Sequence, residues 1–334
     1  MTTMTSSTTS DATEKSANRH LAVVATAYGG PEVLSVIDVE VPPPGPGEVT
    51  IEVRAAGVNP VDYKFFSGTG PFGNSPDNLP MRLGLEAAGL ITAVGPGAVG
   101  PAGLLAVGDA VIAYPANGGY ATAITVPANH VVPKPAELSW EQAAGIMLVG
   151  ATALHAVTAI NVGQDDTVLV HGGSGAVGFL AVQLSLAAGA TVVATTSERN
   201  QKLLRDVGAV ALTYGPGLLD RVKQAAPTGI SAVIDAVGTD EAIDVSLSLV
   251  PDRSRIVSIA ARQRADTGIK IIGHGGDLGT EIRSNAWRDL LPMATSGELT
   301  LLPVKTFPLS EAAEAHILLA QGHPNGKLVL LPTQ

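Results

Sequence analysis

Three glycines that follow a short apolar run have the residue type and spacing needed to hold a phosphate group. The run, residues 167–170, is rich in β-branched residues and is typical of a buried parallel strand. Gly173, Gly175 and Gly178 come next, and helical spacing of apolar residues begins after Ala176. In a GxGxxG sequence one glycine makes a sharp turn, one lets a pyrophosphate approach the backbone, and one lets helix and strand pack closely. The pattern predicts a dinucleotide phosphate at a helix N-terminus, and the alternative is an ordinary glycine-rich loop.

The elements that must position this loop follow from apolar patterns along the second half of the chain. Periodicity predicts strands at 167–170, 191–195, 209–213, 231–235 and 255–260, and helices at 176–188, 198–207, 217–225 and 240–249. This alternation predicts an α/β fold with a doubly wound parallel sheet of the Rossmann type. Helices near 285–296 and 310–320 and a terminal strand at Lys327–Leu331 complete the prediction.

The first half of the chain has a different pattern, with several strands and few helices between them. The predicted strands are 21–27, 33–39, 49–55, 84–94, 107–113 and 120–126. Their succession predicts an antiparallel or barrel-like module. Residues 68–80 are rich in glycine, proline and asparagine, which predicts an exposed loop.

Capping residues indicate where two helices begin. Asn59 is the predicted N-cap of a short helix. Ser139 and Gln142 have capping-box spacing and predict the start of a longer helix. The uncharged stretch 143–160 contains few large apolar residues, which predicts a buried helix interrupted near Gly150 rather than a membrane span.

Composition limits the classes of protein to consider. Of 334 residues, 46% are hydrophobic and 15% are charged, which suits two compact domains. The formal net charge of −10 argues against binding to nucleic acid or to an anionic membrane. The absence of cysteine excludes disulfides, thiolate zinc sites and a cysteine nucleophile, and the expected location is the cytoplasm. Residues 1–18 are polar and rich in serine and threonine, which predicts a disordered tail rather than a signal peptide.

Four motifs together resemble the zinc-independent branch of the medium-chain dehydrogenase/reductase superfamily, which contains quinone oxidoreductases and enone or alkenal reductases. They are HGGSGAVG after the strand at 167–170, NPVDYK from residue 59, GLEAAGLITAVG at 84–95 and GKLVLLP near the C-terminus. The resemblance implies a GroES-like, β-rich catalytic domain formed by 19–145 and 285–334. It also implies a Rossmann NADPH-binding domain, 146–284, inserted between these two segments.

The sequence departs from the zinc-bearing alcohol dehydrogenases of that superfamily. Those enzymes use a cysteine near the position of Asn59 and a Gly-His-Glu motif, whereas this chain has Gly84-Leu85-Glu86 and no cysteine. The histidines show no pair at metal-ligand spacing; they are His20, His130, His155, His171, His274, His316 and His323. The resemblance therefore implies hydride transfer without a metal.

The residues after the second predicted strand bear on which nicotinamide cofactor is used. An acidic residue there holds the ribose 2′-hydroxyl of NAD, and a cation holds the 2′-phosphate of NADP, so Glu198 and Arg199 give opposite indications. The resemblance favours NADPH, since Ser197, Arg199 and Tyr214 fit the small residue, cation and tyrosine of NADPH-dependent quinone oxidoreductases. The alternative is that Ser197 caps a helix and Arg199 is a solvated helix residue.

The resemblance implies further cofactor contacts along the chain. The glycine loop contributes Gly173, Ser174, Gly175, Ala176, Val177 and Gly178. Thr152 would approach the nicotinamide, and the alternative is a hydroxyl bonded to its own helix backbone. Lys327 would reach the cofactor from the C-terminal strand, and the alternative is a charge on an edge strand.

The resemblance also implies the residues that act on substrate. NPVDYK is similar to the NPVDFK of plant enone reductases, in which the lysine faces the substrate carbonyl. Lys64 and Tyr63 are therefore the predicted donors to the oxygen on which negative charge grows, and Asn59 either fixes the loop or contacts the nicotinamide. The alternatives are a solvated lysine and a packing tyrosine.

Three functions are consistent with these residues. The first is an NADPH-dependent reductase that transfers hydride to a quinone or to the C=C bond of an α,β-unsaturated carbonyl. The others are a non-catalytic NADPH-binding protein and a trans-acting enoyl-thioester reductase of a biosynthetic pathway. The expected partners are a small-molecule carbonyl or quinone substrate and a second copy of the chain. The apolar runs 256–259 and 269–272 are candidate dimer edges, or else internal strands.

Overall fold

The computed structural model describes residues 19–70, 73–273, 277–322 and 326–332, so the tail expected at 1–18 lies outside the described residues. The strands in chain order are β1 (His20–Ala25), β2 (Leu34–Val39), β3 (Glu48–Val58), β4 (Met81–Arg82), β5 (Ala87–Val94), β6 (Val99–Gly100), β7 (Gly103–Leu104), β8 (Ala110–Ala113), β9 (Ala123–Pro127), β10 (Val131–Pro133), β11 (Thr167–His171), β12 (Thr191–Thr196), β13 (Val210–Thr213), β14 (Ala232–Asp235), β15 (Ile256–Ser258), β16 (Lys270–Ile271), β17 (Val304–Pro308) and β18 (Lys327–Leu331).

The α-helices are α1 (Pro60–Phe66), α2 (Trp140–Ala159), α3 (Ala176–Ala187), α4 (Gln201–Asp206), α5 (Leu218–Ala225), α6 (Asp240–Leu249), α7 (Asp277–Asn285), α8 (Trp287–Ser296) and α9 (Ala312–Ala320). Short 3₁₀ turns occur at Pro31–Val33, Pro76–Asn78, Ala128–His130, Glu198–Asn200, Arg253–Arg255, Arg262–Thr267 and Leu309–Glu311. The helix expected at 198–207 is thus a 3₁₀ turn followed by α4.

The chain forms two compact units. Of the described residues, the first unit contains those within 19–145, 304–322 and 328–332, and the second contains those within 146–303 and 326–327. The expected boundary between the inserted and the C-terminal segment was residue 284, but the structure groups 285–303 with the second unit. The physical reason is helix packing, because a Cβ added at Gly150 in α2 would lie 2.6 Å from Leu290 Cδ1 in α8.

The first unit is antiparallel, as its run of strands predicts. Its largest sheet has the order β10-β8-β5-β3-β18-β17, and β9 also pairs with β3. Strand β3 is the centre of this sheet and pairs antiparallel with β5, β9 and β18. A second sheet has the order β2-β1-β4, and β6 and β7 form a hairpin. The core of the unit contains the fully buried side chains of Ile51, Phe66 and Tyr120.

The second unit contains the predicted Rossmann sheet. Its strands have the order β13-β12-β11-β14-β15-β16, and neighbouring strands pair in parallel. Numbered from β11, this is the 3-2-1-4-5-6 order of a doubly wound fold, whose ligands bind beyond the carboxyl ends of the strands where the order reverses. The glycine loop follows β11 and therefore lies at this position.

Helix α2 differs from its prediction in one respect. The capping box is confirmed, since Ser139 N donates to Gln142 Oε1 at 3.0 Å and Gln142 N donates to Ser139 Oγ at 3.2 Å. The interruption expected near Gly150 is wrong, because one helix runs from Trp140 to Ala159. Its length and composition would allow it to cross a membrane, but 72% of its most apolar window is buried inside the fold, as in the core helix of a globular protein.

The two runs considered as dimer edges have different places in the sheet. Strand β15, in the run 256–259, lies between β14 and β16 and is internal. Strand β16, in the run 269–272, is the outermost strand of the sheet in the part of the chain that the structure describes.

Candidate functional site

The sharp turn of the glycine loop is made by a residue outside the predicted triplet. Gly172 has φ +73°, a left-handed conformation that favours glycine, and its carbonyl accepts from Gly175 N at 3.0 Å. Sequence reasoning missed this residue because the GxGxxG pattern starts at Gly173. The doubled glycine at 172–173 was the available signal.

Gly173 and Gly178 are required by packing. A Cβ added at Gly173 would lie 2.8 Å from Ala194 Cβ of β12, and one added at Gly178 would collide with the carbonyl oxygen of Gly172. Both glycines therefore let α3 begin directly against the strand ends. This close approach fixes the direction of the first turn of α3.

Gly175 is different, because the fold leaves space around it. It is the exposed N-cap of α3, it has φ −75°, and no side chain caps this helix end. The atom nearest to an added Cβ is Gly172 O, at an ordinary contact distance of 3.4 Å. The first N–H groups of a helix lack intrahelical partners and attract anions. A glycine that packing does not require, at an uncapped helix N-terminus, fits the close approach of a pyrophosphate.

The loop is tied to the end of β12 through Ser174. Thr196 Oγ1 donates to Ser174 Oγ at 2.6 Å, and Asn200 Nδ2 donates to the same oxygen at 3.3 Å. Asn200 contributes to the site although no sequence pattern singled it out, since its partner lies 26 residues away in the chain. These bonds hold the exposed turn in a fixed conformation.

The three residues predicted to set cofactor preference follow the ends of two adjacent strands. Thr196 pairs with Thr213, so Ser197 and Tyr214 continue from neighbouring positions of β12 and β13. Ser197 caps the 3₁₀ turn at Glu198–Asn200 without a side-chain bond, and its Oγ is buried with no hydrogen-bond partner among the described residues. Tyr214 is 51% exposed.

Arg199 is exposed and has no hydrogen-bond or ion-pair partner among the described residues. Glu198 beside it is exposed as well. An exposed and unpaired cation at the carboxyl ends of the strands is suited to a phosphate group. These residues and the glycine loop therefore fit a dinucleotide that carries a 2′-phosphate.

A buried polar pair lies where the two neighbouring strands β11 and β14 end. His171 pairs in register with Asp235, and both side chains are buried. Asp235 accepts from Gly238 N at 3.0 Å and from Ser258 Oγ at 2.5 Å, which holds the turn after β14. Burial lowers the pKa of His171 to about 4, although the charge of Asp235 opposes this shift. His171 is therefore neutral near pH 7.

The surroundings of Thr152 and Lys327 can be compared with the structural alternatives to a cofactor contact, which are a hydroxyl bonded to its own helix and a charge on an edge strand. Thr152 Oγ1 donates to Leu148 O of its own helix at 2.7 Å, as the alternative for this residue predicts. Lys327 is only 6% exposed, and its strand β18 lies between β3 and β17. The edge-strand alternative for Lys327 is therefore wrong.

In the first unit, Asn59 has a structural position. Its side chain is fully buried, and its Nδ2 donates to Glu86 Oε1 at 2.9 Å and to Gly57 O at 3.2 Å. Its backbone N–H donates to Asp62 Oδ2 at 3.0 Å, so the predicted N-cap of α1 is confirmed. The contacts of Asn59 fix the start of α1, which is the first of its two expected roles.

A buried hydrogen-bonded network extends from the start of α1 to α9. Asp62 is fully buried and accepts from Gly84 N at 3.3 Å and from Tyr120 Oη at 2.9 Å. Tyr120 Oη lies 3.3 Å from His316 Nε2, and the imidazole also packs edge-on against Phe66. Burial lowers the pKa of His316 to about 4, and burial followed by the charge of Asp62 raises the pKa of Tyr120.

This network, Asp62–Tyr120–His316, is named here the α1 anchor. It holds the helix that carries the two predicted substrate residues. Tyr63 is half-buried with its ring edge-on to Phe66 at 5.1 Å, which agrees with a packing role. Lys64 is exposed and has no hydrogen-bond or ion-pair partner among the described residues.

An antiparallel first unit and a Rossmann sheet with a glycine-rich loop after its first strand are the architecture of a medium-chain dehydrogenase/reductase. Residues 45–136 match the family described as "Alcohol dehydrogenase GroES-like domain", and residues 210–330 match that described as "Zinc-binding dehydrogenase". No group of three or more His, Cys, Asp or Glu side chains suited to a metal occurs in 19–70, 73–273, 277–322 and 326–332.

Comparison with individual proteins narrows the class. The chain is 30% identical over 329 residues to "Quinone oxidoreductase 1" of Escherichia coli, covering 91% of this chain and 97% of that protein. A mycobacterial protein whose structure was solved in complex with NADPH is 32% identical, with a TM-score of 0.81 over 94% of this chain and 100% of that one. The CurK enoyl reductase is 25% identical, with a TM-score of 0.81 over 93% and 99%.

The chain therefore belongs to the zinc-independent quinone oxidoreductase family of medium-chain dehydrogenases/reductases. It is an oxidoreductase, and its cofactor is NADPH. The residues of the second unit that fit this cofactor are the glycine loop and the residues that follow β12 and β13.

Two glycine substitutions are expected to separate phosphate binding from packing. Gly175→Ala should keep the melting temperature within about 2 °C of wild type, since its Cβ meets no close neighbour, yet weaken NADPH binding about 10-fold by filling space at the helix N-terminus. Gly178→Ala should instead lower the melting temperature through its collision with Gly172 O. Fluorescence titration with NADPH and thermal unfolding measure both effects.

The matched control is Gly163→Ala, because nothing lies within 4 Å of a Cβ added at that position. This variant should retain both NADPH affinity and stability. Unchanged NADPH affinity in Gly175→Ala would show that the cofactor phosphates do not approach this turn.

Replacing His316 with glutamine is expected to make the melting temperature less sensitive to acidic pH. A histidine with a pKa of about 4 in the folded chain and of 6.5 otherwise contributes stability that is complete above pH 6.5 and is lost as pH falls toward 4. The contribution is on the order of 3 kcal/mol. The melting temperature should therefore fall less between about pH 7.5 and 4.5 in the variant. Part of the acid-induced drop in melting temperature should remain in the variant, because His171 is buried and has a lowered pKa as well.

The control for this prediction is His20→Gln in β1 of the same unit. It should show the same drop in melting temperature as wild type over this pH range. An equal drop in His316→Gln and wild type would exclude His316 as a source of acid sensitivity.

Proposed function

We propose that this oxidoreductase transfers hydride from NADPH to a quinone or to the C=C bond of an α,β-unsaturated carbonyl, without a metal. The observation that carries the proposal is the free ammonium group of Lys64 on a helix whose start is locked by the α1 anchor. The similarity to a quinone oxidoreductase along nearly the whole chain supports this class of acceptor.

When bound, NADPH supplies the hydride, and the protein must stabilise the charge that this transfer creates. Addition of hydride to a quinone or to the β-carbon of an enone places negative charge on the carbonyl oxygen. We assign the Lys64 ammonium group and the Tyr63 hydroxyl as donors to that oxygen. A proton from water completes the reduction.

Asn59 takes a positioning role in this proposal. Its amide donates to Glu86 and Gly57, and its side chain is fully buried, so it acts through the start of α1. Lys64 lies two positions after Asp62, the residue through which the α1 anchor holds the helix. A fixed helix lowers the entropic cost of orienting a donor toward the substrate.

For cofactor recognition, the proposal places the pyrophosphate of NADPH on residues 173–178. The 2′-phosphate is held by Ser197, Arg199 and Tyr214. Arg199 supplies charge-assisted hydrogen bonds, and the unpartnered Ser197 hydroxyl supplies one more. Thr152 and Lys327 complete the proposed contacts with the cofactor.

A second candidate is reduction of an enoyl thioester, which the similarity to the CurK enoyl reductase favours. The chemistry is the same hydride addition to a carbon conjugated with a carbonyl group. The two candidates differ in the acceptor, so a panel of quinones, enones and enoyl thioesters separates them. NADPH binding without turnover on any of them would support a non-catalytic NADPH-binding protein.

The proposal includes a small-molecule acceptor, a cytoplasmic location and a homodimer. Strand β16 offers its backbone edge for pairing with a second copy, since it is outermost in the described part of the parallel sheet.

Lys64→Ala is expected to reduce kcat/KM for the acceptor about 10- to 100-fold without changing the Kd for NADPH. The reason is that one electrostatic donor to the developing negative charge is lost. Acceptor-dependent loss of NADPH absorbance and fluorescence titration give the two quantities. Lys64→Arg, which keeps the charge, should recover part of the rate.

The control is Lys305→Ala, which removes another exposed cation of the first unit. It should leave kcat/KM unchanged. Full activity of Lys64→Ala on every accepted substrate would remove Lys64 from the mechanism, whereas no turnover by wild type would contradict the proposed function itself.

Arg199→Ala is expected to lower the preference for NADPH over NADH about 10-fold, by weakening NADPH binding alone. A charge-assisted hydrogen bond to a phosphate contributes about 1.5–3 kcal/mol. Titrating each cofactor into the wild type, this variant and Arg205→Ala gives the ratio of Kd values. Arg205, which bonds to Gln201 instead, is the matched control. Equal affinity of wild type for NADPH and NADH would contradict the assignment.

A further inference from the structure

Arg283 of α7 is a buried cation that the proposed reaction does not use. Its side chain is only 8% exposed. Among the residues that the structure describes, no carboxylate lies within 4.0 Å of its guanidinium group. Burying a charge is costly unless an opposite charge or several hydrogen bonds compensate for it. Arg283 therefore has charge and donors available for a further partner.

The hydrogen bond that Arg283 makes preserves its charge. Its Nε donates to His155 Nδ1 at 3.4 Å. A guanidinium group has no acceptor, so this ring nitrogen must be the unprotonated one. Burial, and then the charge of Arg283, lowers the pKa of His155. The pair is thus a neutral imidazole and a cation, with a net charge of +1.

The packing around this pair is specific. A Cβ added at Gly279 would lie 2.6 Å from His155 Cε1, so the imidazole packs directly against the backbone of α7. Gly279 and Arg283 are four residues apart, on one face of α7. Glycine is less favourable than alanine within a helix, so its presence here reflects packing. His155, Gly279 and Arg283 therefore form a fitted group on two helices.

We propose that Arg283, oriented by His155, is the centre of an anion-binding site that takes the carboxylate or phosphate group of a small molecule. The fork of N–H donors in a guanidinium group matches both oxyanions in a bidentate arrangement. Binding of such an anion compensates the buried charge. The site shares no residue with the glycine loop or with Lys64, so it stands whether or not the acceptor is a quinone.

The test is a titration of the full chain, saturated with NADPH, with sodium phosphate or sodium acetate. Sodium chloride at the same ionic strength is the reference, and saturation with NADPH keeps phosphate away from the glycine loop. Wild type should be stabilised against thermal unfolding by at least one oxyanion beyond the chloride reference. The anion with the larger effect identifies the ligand as a carboxylate or a phosphate.

Arg283→Gln should weaken this oxyanion binding at least 10-fold. Without added anion it should melt at or above the wild-type temperature, because it removes an uncompensated buried charge. Arg288→Gln is the matched control, since Arg288 is exposed and stacks on Trp287. It should keep the wild-type response to oxyanions.

Arg283→Lys is a second variant for the case that glutamine prevents folding. It keeps the charge and loses the fork, so its affinity for the oxyanion should fall severalfold. No stabilisation of wild type beyond chloride, or an unchanged response in the folded Arg283 variants, would overturn the proposal. Turnover of acceptors is measured separately, so failure of this proposal is distinct from failure of the proposed reductase activity.

Discussion

The start of α3 is the constraint on which the conformation of the glycine loop depends. The first N–H groups of a helix have no partner within it, and no side chain caps α3 at Gly175. The loop that presents them exists because Gly172 turns with a positive φ and because Gly178 leaves room for the Gly172 carbonyl. Backbone geometry of this kind supplies positive potential without a charged side chain. Such a potential is suited to the phosphate groups of a dinucleotide.

In the first unit, buried polar side chains hold the start of α1 in place. A carboxylate such as that of Asp62 is stable in the interior only when donors surround it, and Asn59, Gly84 and Tyr120 supply them. The cost of burying these groups is offset by the hydrogen bonds that fix the start of α1. The free cation of Lys64 then lies on a rigid helix, which suits a donor that must meet one developing charge.

Local pattern predicted much of the fold, and long-range packing accounts for the differences. Apart from the 3₁₀ turn at Glu198–Asn200, the strands and helices from 167 to 249 have their predicted types, since each buries apolar residues at its own period. The break expected in α2 at Gly150 is absent, because Leu290, 140 residues away, occupies the space beside the glycine. The same packing places 285–303 with the second unit. A contact between residues this far apart in the chain cannot be predicted from local sequence patterns.

The sequence by itself determined the class of site: glycine spacing after a buried strand, a capped helix at Asn59, and a chain without cysteine. It did so because turns, caps and periodicity depend on neighbouring residues. The tertiary structure alone decided which polar residues share a site. Asn200 reaches Ser174, Tyr120 reaches Asp62, and His155 reaches Arg283 across 26, 58 and 128 positions. Hydrogen bonds and buried charges act over a few ångströms, so only the folded chain can bring such partners together.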